Sequence, residues 1–255
     1  MKKTPFLIIP ALALGAAVLT ASPALAATDD KSYQATLDAI NGSNASGTAM
    51  FTVSGDQITV KQQVSGLAAT FNDAPYPHVQ HIHIDAMGVC PTPDADTNGD
   101  GVISTTEGGP SYGGIGTTLS TSGDTSPAAG TDLTLAGMGS DYTYERTFTL
   151  NPETAAALDA GTAVVVVHGL DPATLSQAAQ DAPSDLVPSL PLAATSPALC
   201  GEVEVSQMDM PVGGAQTGGG GSATNTDAGM YALGGGLVLA AGATVLARRR
   251  VLAGR

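Results

Sequence analysis

The chain has 255 residues, with 9 basic and 23 acidic side chains, 32 glycines, 16 prolines and no tryptophan. Residues 27–217, between two apolar terminal segments, keep only Lys31, Lys61 and Arg146 against 22 acids, a net charge of −19. That excludes a nucleic-acid binder, which needs a basic footprint. It also works against steering of an anionic substrate by the overall field and suits divalent cations as partners.

Lys2 and Lys3, the apolar run Phe6–Thr20 and Ala24-Leu25-Ala26 have the layout of a secretory signal over residues 1–26. One domain is expected over residues 27–210, long enough for a packed core. Ser32–Ala39 reads as a first strand. Thr48–Val53 and Gln57–Val64 are two further strands, joined by the short turn Ser54-Gly55-Asp56. Ile58, Val60, Gln62 and Val64 share one face of their strand, with Lys61 and Gln63 opposite. Pro75 and Pro77 precede a strand over His78–Asp85, and Cys90–Gly114 is expected to be loop. Tyr142–Leu150 alternates again. Asn151 caps a short helix that starts at Pro152 and runs to about Leu158. Ala163–Val167 is a continuous apolar run, hence a buried strand, and Cys200–Ser206 is the last strand. Short strands with Gly/Pro turns predict an all-β, antiparallel sandwich or barrel with one short helix. Cys90 and Cys200 are the only cysteines, so an exported chain is expected to join them.

Residues 96–107 fit the twelve-residue calcium-loop pattern. Asp96, Asn98 and Asp100 supply side-chain oxygens at positions 1, 3 and 5, and Gly101 allows the turn at 6. Val102 offers its carbonyl, Ser104 acts through water, and Glu107 closes the shell with two oxygens. Pro91, Pro93 and Gly108-Gly109-Pro110 flank the loop, so it is expected to stand without a helix pair, its calcium stiffening a long loop.

The four histidines are His78, His81, His83 and His168. His81 and His83 lie two apart on a strand and share a face, while His78 points the other way. His168 ends the buried run. If that strand lies beside the His81–His83 strand, three imidazoles converge with an open position, a set that suits copper or zinc. A His-x-His pair also fits rings that merely pack at a strand end. Asp171 is a candidate acceptor for a ligand imidazole.

Several stretches carry two resemblances. Residues 35–43, 45–49 and 64–67, with His81-Ile82-His83, resemble exported bacterial CHRD-domain (chordin-type) proteins, and the calcium-type loop after Cys90 fits such members. His78-x-x-His81-x-His83, Val166-Val167-His168 and Cys200-Gly201 resemble copper/zinc superoxide dismutases. That second resemblance implies a Greek-key β-barrel, copper on His81, His83 and His168, a structural His78, and a disulfide from the loop after the His-x-His strand to the last strand. The chain departs from the pattern in two ways. It has no histidine left for a bridging ligand or a zinc site, and Pro197 stands where that family has an arginine.

Residues 211–229 form a Gly-rich tether. Residues 230–247 are an apolar run long enough to span a membrane, and 248–255 are a basic tail that stays cytoplasmic. Gly214-Ala215-Gln216-Thr217-Gly218 before that helix resembles a sortase sorting signal, which implies cleavage between Thr217 and Gly218 and bonding to a Gram-positive-type cell wall. Without cleavage the helix is a simple membrane anchor. The main expectation is therefore a surface-anchored CHRD-type module with a calcium loop and a structural or interaction role toward a surface partner. The alternative is a copper-binding redox protein related to superoxide dismutase.

Overall fold

The computed structural model describes residues 30–206. The signal, tether, anchor-helix and tail readings, and the sorting pair Thr217 and Gly218, lie outside the described residues. Among the described residues, no helix is long and apolar enough to cross a membrane.

Period-two alternation produces β1 (Lys31–Ala39), β2 (Ser46–Ser54) and β3 (Gln57–Ser65). In β1, Tyr33, Ala35 and Leu37 are buried while Gln34, Thr36 and Asp38 face solvent. In β3, Ile58, Val60, Gln62 and Val64 face inward, as their spacing predicts. Ser54 pairs with Gln57, so the hairpin turn is Gly55-Asp56. The remaining long strands are β4 (Gln80–Ile84), β5 (Gly114–Thr118), β6 (Tyr142–Thr149), β7 (Val164–His168) and β8 (Pro197–Glu202).

They hydrogen-bond in the order β6-β3-β2-β1-β8-β7-β4-β5, each neighbouring pair antiparallel. Consecutive strands separate at β3–β4, β5–β6 and β6–β7, which is the all-β Greek-key arrangement expected. β1 serves both halves of the sheet. Residues 31–37 pair with β2, while Asp38 and Ala39 pair with Cys200 and Leu199 of β8. Leu37, Phe51, Ile58 and Val60 from one half share a core with Ile82, Val165, Val167 and Leu199 from the other.

The continuous apolar run in β7 has a physical reason. Val165 and Val167 enter the main core, while Val164 and Val166 pack with Tyr112 and Cys200 on the opposite face. A strand covered on both faces has no need of alternation.

Several boundaries differ from expectation. The strand expected over residues 78–85 is divided: Pro77–His78 pairs with Gly137–Met138, and only Gln80–Ile84 joins the main sheet. The last strand starts earlier, at Pro197, and Glu204–Val205 pairs back onto β1. The stretch read as loop contains α1 (Thr105–Tyr112). A reciprocal capping box overrides its glycines and proline. The Ser104 hydroxyl accepts from the Glu107 amide, and the Glu107 carboxylate accepts from the Ser104 amide. The one helix foreseen is α2 (Pro152–Ala160), capped by Asn151, whose side chain accepts from the Thr154 amide. Two more short helices, α3 (Gln177–Asp181) and α4 (Leu192–Thr195), lie on the excursion between β7 and β8.

Cys90 and Cys200 form the disulfide, with Cα atoms 5.8 Å apart and a sequence separation of 110. It fastens the β4–β5 excursion to β8. For a loop of that length, chain entropy predicts a loss of about 4–5 kcal/mol on replacing both cysteines with serine. The expected readout is a lowered urea midpoint with native far-UV circular dichroism in its absence. An unchanged midpoint would show that the bridge does not constrain the unfolded chain.

Candidate metal centre

β4 presents His81 and His83 on one face, and β7 ends in His168. The two strands are neighbours, with Val166 opposite His81 and Val164 opposite His83. The three rings therefore meet, with centroids 5.1 Å apart for His81–His168, 5.5 Å for His81–His83 and 5.9 Å for His83–His168. All three are buried.

Each ring has one nitrogen on a main-chain carbonyl. His81 Nε2 donates to Gly130 O at 2.9 Å, His83 Nδ1 to Gly113 O at 2.9 Å, and His168 Nδ1 to Thr195 O at 2.6 Å. A carbonyl oxygen only accepts, so each neutral ring carries its proton there. The other nitrogen of each ring is then a bare lone pair. These atoms, His81 Nδ1, His83 Nε2 and His168 Nε2, are buried and have no hydrogen-bond partner. Three unsatisfied acceptors facing one another are costly, and a cation among them removes the cost.

The donors lie within 4.8 Å of one another, and this is the one metal-capable cluster of histidine, cysteine and acidic side chains among the described residues. Nitrogens at about 2.0–2.1 Å from a shared ion sit at most about 4.2 Å apart. Small ring rotations therefore close the shell. The residues fit a metal held by three imidazoles with a further position open.

Close approach of backbone underlies two of these hydrogen bonds. Gly113 has φ +88°, and a Cβ there would stand 1.8 Å from Ile84 O. A Cβ at Gly130 would stand 2.5 Å from Ile115 Cδ1 and 3.3 Å from His81 Nε2. The ring of Tyr112 meets that of His83 at 4.6 Å, edge to face, and its hydroxyl donates to Thr105 O at 3.0 Å. Neither the carbonyl partners nor this aromatic wall was foreseen. Carbonyls leave no mark on sequence, and the two glycines were the only available trace.

The other candidates fall elsewhere. His78 is structural, its ring nitrogens each 2.9 Å from a carbonyl oxygen, of His168 and of Ala68. Asp171 does not orient a ligand: it accepts from the Ala173 amide and caps a short 3-10 turn, while Thr195 O takes the His168 proton. Pro197 lies in β8 and accepts from Asn41.

In the 96–107 loop the carboxylates are occupied by the loop's own amides. Asp96 accepts from Gly99 and Gly101, Asn98 from Asp100, and Asp100 from Val102. Glu107 accepts from the amides of Thr97, Asn98 and Ser104. Val102 and Ile103 are buried, the latter anchored by its amide to the Asn41 side chain.

No family model matches the chain, and no curated protein does. Solved structures that align with it include superoxide dismutase 5 of Candida albicans in its copper(II) form, at 17% identity and a TM-score of 0.38, covering 74% of this chain and 99% of that one. Two single-site variants of the same protein align over the same shares at 17% identity, with TM-scores of 0.38 and 0.37. A likeness of that size assigns no chemistry.

Burial is the main cause that lowers the basicity of all three rings. Repulsion from His168 and His83 adds at His81, and from His168 at His83, against the opposing carbonyl hydrogen bonds. His81 lies well below its ordinary value, His83 falls to about 3 and His168 to about 4. Unfolded histidine titrates near about 6.5, so below that pH the unfolded chain binds protons the folded chain refuses. Stability is full above that pH and falls as pH drops, by roughly 1.4 kcal/mol per pH unit for each ring. The loss is expected to level off as pH passes through the folded values, about 4 for His168 and about 3 for His83. Urea midpoints of the metal-free protein at pH 7 and pH 5 check this; equal midpoints would contradict neutral buried rings.

Glu107 responds differently. Partial burial raises its pKa, but hydrogen bonds from Ser104, Thr97 and Asn98 outweigh that and hold it below the ordinary carboxylate value. Glu107→Ala removes the capping box and is expected to cost about 1–2 kcal/mol by thermal unfolding without calcium. The calcium expectation has its own readout: added calcium must raise the melting temperature of the parent chain and leave that of Asp96→Asn unmoved.

Proposed function

We propose that this protein is an exported, surface-anchored copper module with redox capability, its ion held by His81, His83 and His168. The observation that carries the reading is the set of three buried, partnerless ring nitrogens on histidines whose donor atoms lie within 4.8 Å of one another. Copper bound there supplies one-electron chemistry. Each residue's part is passive. Gly113, Gly130 and Thr195 hold one proton per ring away from the ion, and Tyr112 walls His83 from water.

Copper is favoured over zinc on two grounds. Nitrogen donors bind Cu²⁺ more tightly than Zn²⁺ across the first-row series. The donor set is also neutral, and no acidic residue among those described lines the cavity beside it. An uncompensated charge is costly in a buried site, which favours the monovalent cuprous state. Export is supported by the signal-like first 26 residues and by the disulfide, which an oxidising compartment preserves.

Superoxide dismutation is the most demanding form of this reading, and among the described residues no lysine or arginine lines the cavity beside the site. Lys31 pairs with Asp159, Lys61 with Glu145, and Arg146 donates to Ser120 O and Gly123 O. The reading is therefore of copper holding or electron exchange. The test offers the protein calcium, copper and zinc together, followed by dialysis and elemental analysis. One copper per chain is expected, lost in the His81→Gln, His168→Gln double variant with far-UV circular dichroism preserved. Calcium without copper or zinc would sink the copper reading and leave the structural one.

A further inference from the structure

The open side of the three-histidine cluster faces a cavity of about 290 Å³. Two excursions of the chain wall it, residues 119–141 between β5 and β6 and residues 169–196 between β7 and β8. Together with β5 and its flank they bring Ile115, Pro127, Leu133, Leu186, Leu190 and Ala194 around the opening. None of these is fully buried, and Leu186 is 49% exposed. Among the described residues, no lysine, arginine, aspartate or glutamate lines the cavity. Its volume is near the lower end for small-molecule sites, which combine apolar walls with a few convergent polar groups. Here the convergent polar groups are the three bare ring nitrogens.

A mouth that steers small anions inward carries cationic side chains, and the overall field of this chain repels anions. This mouth has leucines instead. We propose that the cavity admits a small, uncharged, largely apolar organic ligand that reaches the open position of the metal, and discriminates against anions. The inference rests on the copper reading and deepens it by naming the ligand class.

The test uses the full chain loaded with copper(II), with copper content measured on the same sample. Imidazole, 4-phenylimidazole and azide are titrated while the copper absorption and electron paramagnetic resonance spectra are followed. The phenyl group isolates the contribution of the apolar wall, since both imidazoles offer the same donor. 4-Phenylimidazole is expected to bind at least tenfold more tightly than imidazole. Leu186→Lys, at a half-exposed position that costs the core nothing, is expected to shrink that advantage and to raise azide affinity severalfold. Equal binding of the two imidazoles with one copper per chain overturns this inference alone. Copper well below one per chain overturns the copper reading and this inference with it.

Discussion

Three main-chain carbonyls decide what the histidine cluster is. Each accepts one ring proton, so each imidazole turns its lone pair toward the other two. Without that constraint the rings could satisfy one another by hydrogen bonds. Each carbonyl is placed by a different device. Gly113 follows α1, which the Ser104–Glu107 capping box starts. Gly130 ends the short 3-10 turn Pro127–Ala129, and Thr195 ends α4. The excursions that look irregular are thus the parts that orient the site, while the sheet supplies only the positions of the histidine Cα atoms.

The sheet and the excursions are joined through β7 and β8. β7 lies between β4 and β8 and is buried on both faces, so its end, where His168 sits, cannot shift without repacking. Tyr112 links the two layers. It packs with Val164, Val166 and Cys200 on the outer face of β7 and also meets the ring of His83. The Cys90–Cys200 bridge closes the same cluster from the side of β8. Covalent bond, aromatic wall and a histidine of the cluster therefore share one small packing unit.

The legible features were those set by local chemistry. Strand-forming runs marked β1 to β3, with alternation visible in the third, Asn151-Pro152 marked the start of α2, and the His-x-His spacing placed two histidines on one face. α1 was misread because Gly108, Gly109 and Pro110 argue against a helix when weighed singly. The cap at its start was visible as Ser104 and Glu107, but the same two residues were assigned to the calcium pattern. Asp171 was misread for a similar reason. An acid three residues after a histidine looks like a ligand partner, yet the chain beyond Gly169 uses it as a cap.

By itself, the sequence determined the residues available for a core, the antiparallel β class, the pairing of its only two cysteines and the three histidines available as donors. Each follows from residue type and short-range spacing. The tertiary structure decided whether those donors meet, through the pairing of β4 with β7, whose residues lie about 80 positions apart. It also decided which nitrogen of each ring is free, because the deciding partners are backbone atoms. The apolar mouth of the site was settled at that level too. Its leucines come from two separate excursions, and only folding brings them to one opening.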